Sequence, residues 1–198
     1  MGLEFEYIEG QSPLDEDEKE GLIIKTISTR GELDEFEQKN IETAVAWTLS
    51  KNYKLDEILS EKFIQEVHKR MFGEVWKWAG KFRKSNKNIG VDKIQIPTEL
   101  RKLFADCSYW IDHKVFEPDE IAIRFKHRLV QIHLFPNGNG RHSRLCADIL
   151  ISQGLKKPIF TWGSKNLSKR GELRKKYLEA IYAADSGDYE LLIKFARS

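Results

Sequence analysis

Apolar residues recur at intervals of three or four positions through most of this 198-residue chain. Such spacing places them on one face of an α-helix. Segments with this pattern lie at about 32–50, 63–73, 98–113, 118–132, 145–150, 173–187 and 191–195. Residues 86–97 instead run from a polar, Asn-rich and Lys-rich loop into alternating apolar positions, which predicts a small β-hairpin. The chain is therefore predicted to be mainly α-helical.

The composition indicates one compact domain. Hydrophobic residues make up 40% of the chain and aromatic residues 11%, which is enough to build a core. We expect residues 1–30 to form an N-terminal arm that packs on a body formed by residues 31–198. The 33 basic and 31 acidic residues give a formal charge of +2, which does not call for a polyanionic partner. Nucleic acid is therefore not an expected ligand.

Two cysteines, Cys107 and Cys146, lie far apart and form no Cys-x-x-Cys motif. We therefore expect both cysteines to be small buried apolar residues, which fits a reducing, cytoplasmic location. No apolar run reaches the roughly twenty residues that a membrane-spanning helix needs. We therefore expect a soluble protein without a membrane partner.

The segment His-Leu-Phe-Pro-Asn-Gly-Asn-Gly-Arg-His-Ser-Arg at 133–144 carries the strongest chemical signal. Gly138 and Gly140 flank an Asn and allow successive backbone N–H groups to turn inward around an anion. A helix that begins after these glycines adds the positive end of its dipole. Arg141 and Arg144, one turn apart, can share a face and bind neighbouring phosphate oxygens. The pattern predicts a site for a di- or triphosphate.

His133 precedes these glycines at the end of the preceding predicted helix. A short connection can bring its imidazole close to the bound phosphate. An imidazole with an ordinary pKa of about 6.5 is mostly neutral at pH 7 and can accept a proton from a hydroxyl group. A lone histidine, a Gly-Asn-Gly turn and an arginine pair are each common in purely structural settings. Their combination within twelve residues favours a functional site.

This segment resembles the signature of the Fic family, His-x-Phe-x-[Asp/Glu]-Gly-Asn-[Gly/Lys]-Arg-x-x-Arg, at every fixed position except one. The similarity continues through residues 76–80, the predicted hairpin and residues 177–195, and the chain resembles the Fic subgroup called mobile mystery protein B. The resemblance implies a Fic-type helical bundle over residues 31–198, with a β-hairpin flap at about 86–97 over the active site. It also implies the transfer of AMP from ATP, with Mg²⁺, to a Ser, Thr or Tyr hydroxyl of a protein.

The resemblance assigns a role to each motif residue. His133 would be the catalytic base that deprotonates the target hydroxyl. Phe135 would be structural. The nucleotide-binding set would comprise Asn137, Gly138, Asn139, Gly140, Arg141 and Arg144. Stabilising charge on phosphate oxygens is also what this type of transfer mainly requires.

Asn137 is the one departure from the signature, because the family has there the acidic residue that binds Mg²⁺. An amide offers one oxygen but lacks the charge that makes carboxylates the usual ligands of this ion. We expect weakened metal binding at Asn137 and slow transfer. Two alternatives stay open. The signature is compatible with a Fic-fold phosphotransferase that binds its nucleotide in the reverse sense, and Asn137 favours a catalytically weak regulator that binds nucleotide or protein.

Two further features of the family have counterparts here. Residues of the predicted flap, namely Ile89, Gly90, Val91 and Ile94, would pair with an extended target segment through backbone hydrogen bonds, although the hairpin would equally serve to cover the core. Glu32, four residues after Ser28, would be an inhibitory glutamate that pairs with the second motif arginine. Glu37 with Asn40 is a rival candidate, and a plain helix-capping role for Glu32 is an equal alternative. A homo-oligomer and a regulatory partner are both compatible with the sequence.

Overall fold

The computed structural model describes residues 14–164 and 170–198, except for the side chain of residue 170. Its α-helices are α1 Glu16–Lys19, α2 Arg30–Leu49, α3 Leu55–Ile58, α4 Glu61–Phe72, α5 Ile96–Asp112, α6 Pro118–Ile132, α7 Asn139–Ile149, α8 Arg170–Asp185 and α9 Glu190–Arg197. A 3₁₀ turn at Lys93–Gln95 precedes α5, and a π-helical turn at Leu150–Gly154 follows α7. Within the described ranges, strand pairing is limited to one antiparallel bridge between Leu22 and Trp76. The mainly α prediction is confirmed.

Local side-chain chemistry sets the helix starts. The Thr29 hydroxyl accepts a hydrogen bond from the Glu32 amide at 3.2 Å at the start of α2, and the Ser60 hydroxyl caps α4 in the same way. Pro118 is the first residue of α6, where its missing N–H costs nothing. These caps satisfy amide groups that have no acceptor within the helix.

The core lies where α4 and α6 run through the middle of the bundle. Helix α4 packs against α2, α5 and α7, while α6 packs against α5, α7 and α9. Val67, Phe125 and Ile132 are fully buried between them. The 133–144 motif covers the connection between α6 and α7 and the first turns of α7, so buried helices anchor it on both sides.

Residues 14–27 lie on this bundle. Leu14, Leu22 and Ile27 are buried in the same core cluster. The Ile23 amide donates to the Val75 carbonyl and the Lys77 amide donates to the Gly21 carbonyl, both at 2.8 Å. The predicted arm also includes residues 1–13, which lie outside the described residues.

The predicted β-hairpin at 86–97 does not form. This stretch is a loop that leads into the 3₁₀ turn, and α5 already begins at Ile96. The Asn86 side chain donates to Asp92 at 2.9 Å and accepts from the Lys93 amide at 2.8 Å. The Asp92 carboxylate also caps the Ile94 amide at 3.0 Å. These short-range bonds occupy groups that a β-ladder would need, so the hairpin prediction is wrong.

Both cysteines are free and buried. Burial raises the pKa of the Cys107 thiol to about 12 and raises that of Cys146 as well, so both thiols are protonated at neutral pH. None of the helices in the described ranges is both long enough and apolar enough to cross a membrane.

Candidate active site

His133 ends helix α6 in a left-handed backbone conformation, with φ 57° and ψ 65°. This conformation is uncommon for a residue with a side chain. Its amide still closes the last helical turn by donating to the Leu129 carbonyl at 3.2 Å. Its carbonyl accepts a hydrogen bond from Arg83 Nε at 2.6 Å. The chain therefore reverses sharply at His133, and the reversal is held by a buried side chain from another segment.

The His133 side chain is only 6% exposed. Burial is the main cause that lowers the pKa of His133 to about 4. The positive charges of Arg83 and Lys87 lower this pKa further, whereas a hydrogen bond to the Val130 carbonyl raises it. The imidazole is therefore neutral at pH 7. Gly90 covers it so closely that a Cβ atom at position 90 would lie 2.6 Å from His133 Cβ. The structure thus places the predicted base under the predicted flap residues.

The motif loop is held by its own asparagine. The Asn139 side chain donates to the Phe135 carbonyl at 2.8 Å and accepts from the Phe135 amide at 3.0 Å. Phe135 itself is fully buried, and its ring stacks on His68 with 3.7 Å between centroids. Phe135 is therefore structural, and the Asn139 side chain is engaged by the backbone of its own loop.

His68 is a site residue that the sequence did not reveal. Its Nδ1 accepts from the Gly80 amide at 3.0 Å, so Nε2 carries the proton and donates to the Asn137 carbonyl at 3.0 Å. Burial and the neighbouring His142 keep its pKa well below the ordinary value. A lone histidine beside an apolar stripe is the only signal in the sequence, and it does not indicate these partners.

The start of α7 carries the residues that the sequence predicts as a phosphate cradle. Gly138 has a left-handed backbone with φ 77°, and a Cβ atom there would lie 2.5 Å from the Phe72 ring. At Gly140, in contrast, a Cβ atom would have no neighbour within 4 Å. The first amides of a helix have no acceptor within it, and they carry the positive end of its dipole. Glycine is thus required for packing at position 138, whereas at position 140 it borders open space.

The two motif arginines face different helices, contrary to the predicted shared face. Arg141 pairs with Glu37 of α2 at 2.7 Å and lies over the Phe72 ring. Glu37 is 3% exposed and also accepts from the Trp76 indole at 2.6 Å. In this structure Arg141 is therefore held by a buried carboxylate.

Arg144 lies over the ring of Tyr177 in α8, with 5.4 Å to the centroid. The Tyr177 hydroxyl accepts from the fully buried Lys126 ammonium at 2.6 Å. Burial alone would raise the pKa of Tyr177, but the charges of Lys126 and Arg144 lower it. Arg144 thus contacts an aromatic side chain of α8, whereas Arg141 contacts α2.

Glu32 does not contact the motif arginines. Its carboxylate accepts from the Ser28 amide at 2.8 Å and from the Thr29 amide at 3.0 Å, and these bonds lower its pKa. Within the part of the chain that the structure describes, no ion pair joins Glu32 to Arg141 or Arg144. The predicted contact of Glu32 with the second motif arginine is not formed, because Glu32 caps α2. The rival residue Glu37 does contact a motif arginine, but it is the first one, Arg141, and not Arg144.

The residues present do not fit a dedicated magnesium site. Asn137 offers a single amide oxygen, and this oxygen already accepts from the Gly138 amide at 2.5 Å. Among residues 14–164 and 170–198, no group of three or more His, Cys, Asp or Glu side chains is arranged to hold a metal ion. Mg²⁺ favours carboxylate and water ligands in an octahedron.

The predicted flap residues divide into two groups. Ile89 and Ile94 are 43% and 79% exposed. The Val91 amide donates to the Ile132 carbonyl at 3.4 Å, and Gly90 lies on His133. The segment therefore covers the base without strand pairing, and its apolar side chains remain accessible. A cleft of about 460 Å³ opens nearby between α1 and residues 77–85, but it reaches the motif loop only through Pro136.

Comparisons with known proteins match the part of the chain that carries this site. Residues 58–151, which include the whole 133–144 motif, match the Fic/DOC family. The chain is 28% identical over 144 residues to the protein adenylyltransferase Fic of Aedes aegypti, covering 71% of this chain and 27% of that protein. The corresponding protein of Nematostella vectensis is 25% identical over 167 residues, covering 82% of this chain and 37% of that protein. The chain thus spans only about a quarter to a third of the length of these curated relatives.

Solved structures show the same fold. BepC, a Bartonella tribocorum effector crystallised with AMPPNP, superposes with a TM-score of 0.68 at 17% identity, covering 92% of this chain and 97% of that one. A fragment of Fic-1 from C. elegans superposes with a TM-score of 0.65 at 19% identity, covering 90% of this chain and 51% of that one. The chain therefore contains a domain of the Fic/DOC family, centred on the 133–144 motif.

Proposed function

We propose that the protein is an adenylyltransferase that transfers AMP from ATP to a Ser, Thr or Tyr hydroxyl of a target protein. The observation that carries this proposal is the position of His133, a neutral imidazole at the turn that leads into the open N-terminus of α7. The names of the curated relatives support it. The two free thiols fit a cytoplasmic location.

In this mechanism His133 accepts the proton of the target hydroxyl as the oxygen attacks the α-phosphorus atom. The bond to the β-phosphate oxygen breaks and pyrophosphate leaves. The amides of residues 139 and 140 hold the phosphates in place of water, and the dipole of α7 stabilises the added charge. A histidine with a low pKa is a weak base, but it is fully deprotonated at pH 7 and ready to accept the proton.

Arg141 can bind an outer phosphate only after it leaves Glu37. The 2.7 Å ion pair is held by a carboxylate that the Trp76 indole also fixes. We therefore place the inhibitory role, first considered for Glu32, at Glu37. ATP and Glu37 would compete for the same guanidinium, which makes the observed arrangement a low-affinity state.

A second candidate function rests on Asn137. Because this residue provides no charge for Mg²⁺, the domain would bind nucleotide and act by contact with a partner protein, with little transfer. If the protein is an adenylyltransferase, Mg²⁺ would enter the site bound to ATP, and Asn137 would supply at most one oxygen ligand to it.

Label transfer separates these functions. The protein is incubated with ATP labelled at the α- or γ-phosphate, Mg²⁺ and a cell lysate, and label on protein is measured. Adenylylation puts α-label on protein, phosphorylation puts γ-label there, and a binding module gives neither while retaining ATP binding. His133→Ala should abolish transfer. His113→Ala, an exposed histidine at the end of α5, is the matched control and should not change it.

A further inference from the structure

Arg83 lies between the end of α6 and the segment that covers His133. Its side chain is 3% exposed. Nε donates to the His133 carbonyl at 2.6 Å, and Nη1 donates to the Ser85 carbonyl at 2.8 Å. Nη2 donates to the Val91 carbonyl. One planar group therefore binds the backbone of the base and both ends of the covering segment.

The backbone of Arg83 binds the same turn. Its amide donates to the Leu134 carbonyl at 3.0 Å, one residue after His133. Cations near the C-terminus of a helix are stabilised by its dipole, and carbonyls there need donors. Arg83 meets both requirements at the end of α6. Lysine could not replace it, because only the guanidinium fork reaches several carbonyls in one plane.

No carboxylate lies within ion-pair distance of Arg83 in the described residues; Asp92 and Glu18 act on it only from farther away. A buried cation without a direct counter-ion is costly. The short bonds that offset this cost go to the backbone of two segments, the turn at 132–134 and the loop at 85–91. A longer contact of 3.5 Å joins Nη1 to the side-chain oxygen of Asn86 in the same loop. The group therefore joins these two segments to each other.

We infer that Arg83 is a positioning residue that holds His133 and the covering segment 85–91 as one unit. Through this unit, the position of a target chain lying on the segment is tied to the position of the base. This role rests on the proposed transfer reaction, but the linkage itself is a property of the free protein.

The linkage is tested by Arg83→Gln and Arg83→Lys, with the exposed neighbour Lys84→Gln as a matched charge control. Backbone amide exchange is measured at Val91 and, for global folding, in α8. Removing the guanidinium should speed exchange at Val91 by about tenfold or more, since several hydrogen bonds are lost, while α8 is unchanged. Arg83→Lys should show the same loosening, because it retains the charge but not the fork. Lys84→Gln should match the parent.

A second readout follows the His133 imidazole by NMR titration. Arg83 and Lys87 are the cations that act on it. Its titration midpoint should rise in Arg83→Gln and rise less in Arg83→Lys, which keeps the charge. If Val91 exchange and the His133 midpoint in both Arg83 variants equal those of the parent, the inference is overturned. Should Arg83→Gln not fold, the same criteria apply to Arg83→Lys alone. Neither readout needs enzymatic turnover, so an inactive parent protein would count against the proposed function and not against this linkage.

Discussion

The two motif glycines should respond to alanine in opposite ways. Gly138 has a φ of 77°, and an added Cβ atom would lie 2.5 Å from Cζ and 2.6 Å from Cε2 of Phe72. Phe72 cannot move aside easily, because it is 1% exposed, its ring contacts His68 and the Arg141 guanidinium lies over it. Gly140 is helical, and an added Cβ atom would meet nothing within 4 Å.

These contacts determine how much each alanine substitution should change the free energy of unfolding. A left-handed backbone costs a residue with a side chain about 1–2 kcal/mol, and overpacking a rigid core costs about 1–3 kcal/mol. Gly138→Ala should therefore lower the free energy of unfolding by about 2–5 kcal/mol. Gly140→Ala should leave it unchanged or raise it by up to about 1 kcal/mol, since alanine favours the helix.

Denaturant unfolding followed by circular dichroism measures both variants, and calorimetry with ATP measures binding. Gly140→Ala should fold normally yet bind ATP about tenfold more weakly, because its methyl group enters the space left for phosphate. A Gly138→Ala protein as stable as the parent would refute the packing argument. Gly140→Ala with unchanged ATP affinity would refute the position of the cradle.

Three further predictions concern charge. Glu37→Gln should raise ATP affinity, measured by calorimetry, by about tenfold. The variant releases Arg141 while the Trp76 indole keeps a hydrogen-bond acceptor. Equal affinities in variant and parent would exclude competition between Glu37 and ATP for Arg141. Asn137→Asp should raise the rate of α-label transfer and lower the Mg²⁺ concentration needed for it; an unchanged or lower rate would count against the metal argument. Burial holds the pKa of both His133 and His142 at about 4, below the ordinary 6.5, so the unfolded chain binds protons more readily. The free energy of unfolding should therefore fall by roughly 3 kcal/mol for each histidine as pH decreases from about 6.5 to 4. His142→Gln should remove the His142 contribution to this pH dependence. An identical pH dependence in the variant and the parent would contradict the assignment to His142.

The helical architecture was predictable because α4, α5 and α6 show their buried faces in the sequence. Helix α6 illustrates this, with Ile121, Phe125 and Ile132 at helical spacing and all buried. Helix α2 does not, since it buries the polar Glu37 and Asn40 and exposes Leu49. The hairpin was not predictable, since alternation at 91–96 competes with side-chain bonds from Asn86 and Asp92 that the pattern does not show. Short apolar stretches remain ambiguous between local structures for this reason.

The motif residues of the site were recognisable, but their partners were not. An inhibitory role and a capping role are equally plausible for Glu32 from sequence, because a capping box and an inhibitory motif share nearly the same spacing, and Glu37 is a rival candidate. Only the packing of α2 on α4 decides that Glu37 faces Arg141. Arg83 and His68 likewise act through backbone groups far away in the chain, and such contacts leave no periodic signal.

We propose that His133 is the base for AMP transfer. This role is tested most directly by the single-turnover rate of α-label transfer at saturating ATP. The dissociation constant of ATP is measured alongside, for the parent and for His133→Ala. Loss of a general base should reduce the transfer rate by about 10²–10⁴-fold while ATP binding changes little. Equal transfer rates in the two proteins, at equal ATP occupancy, would contradict the account.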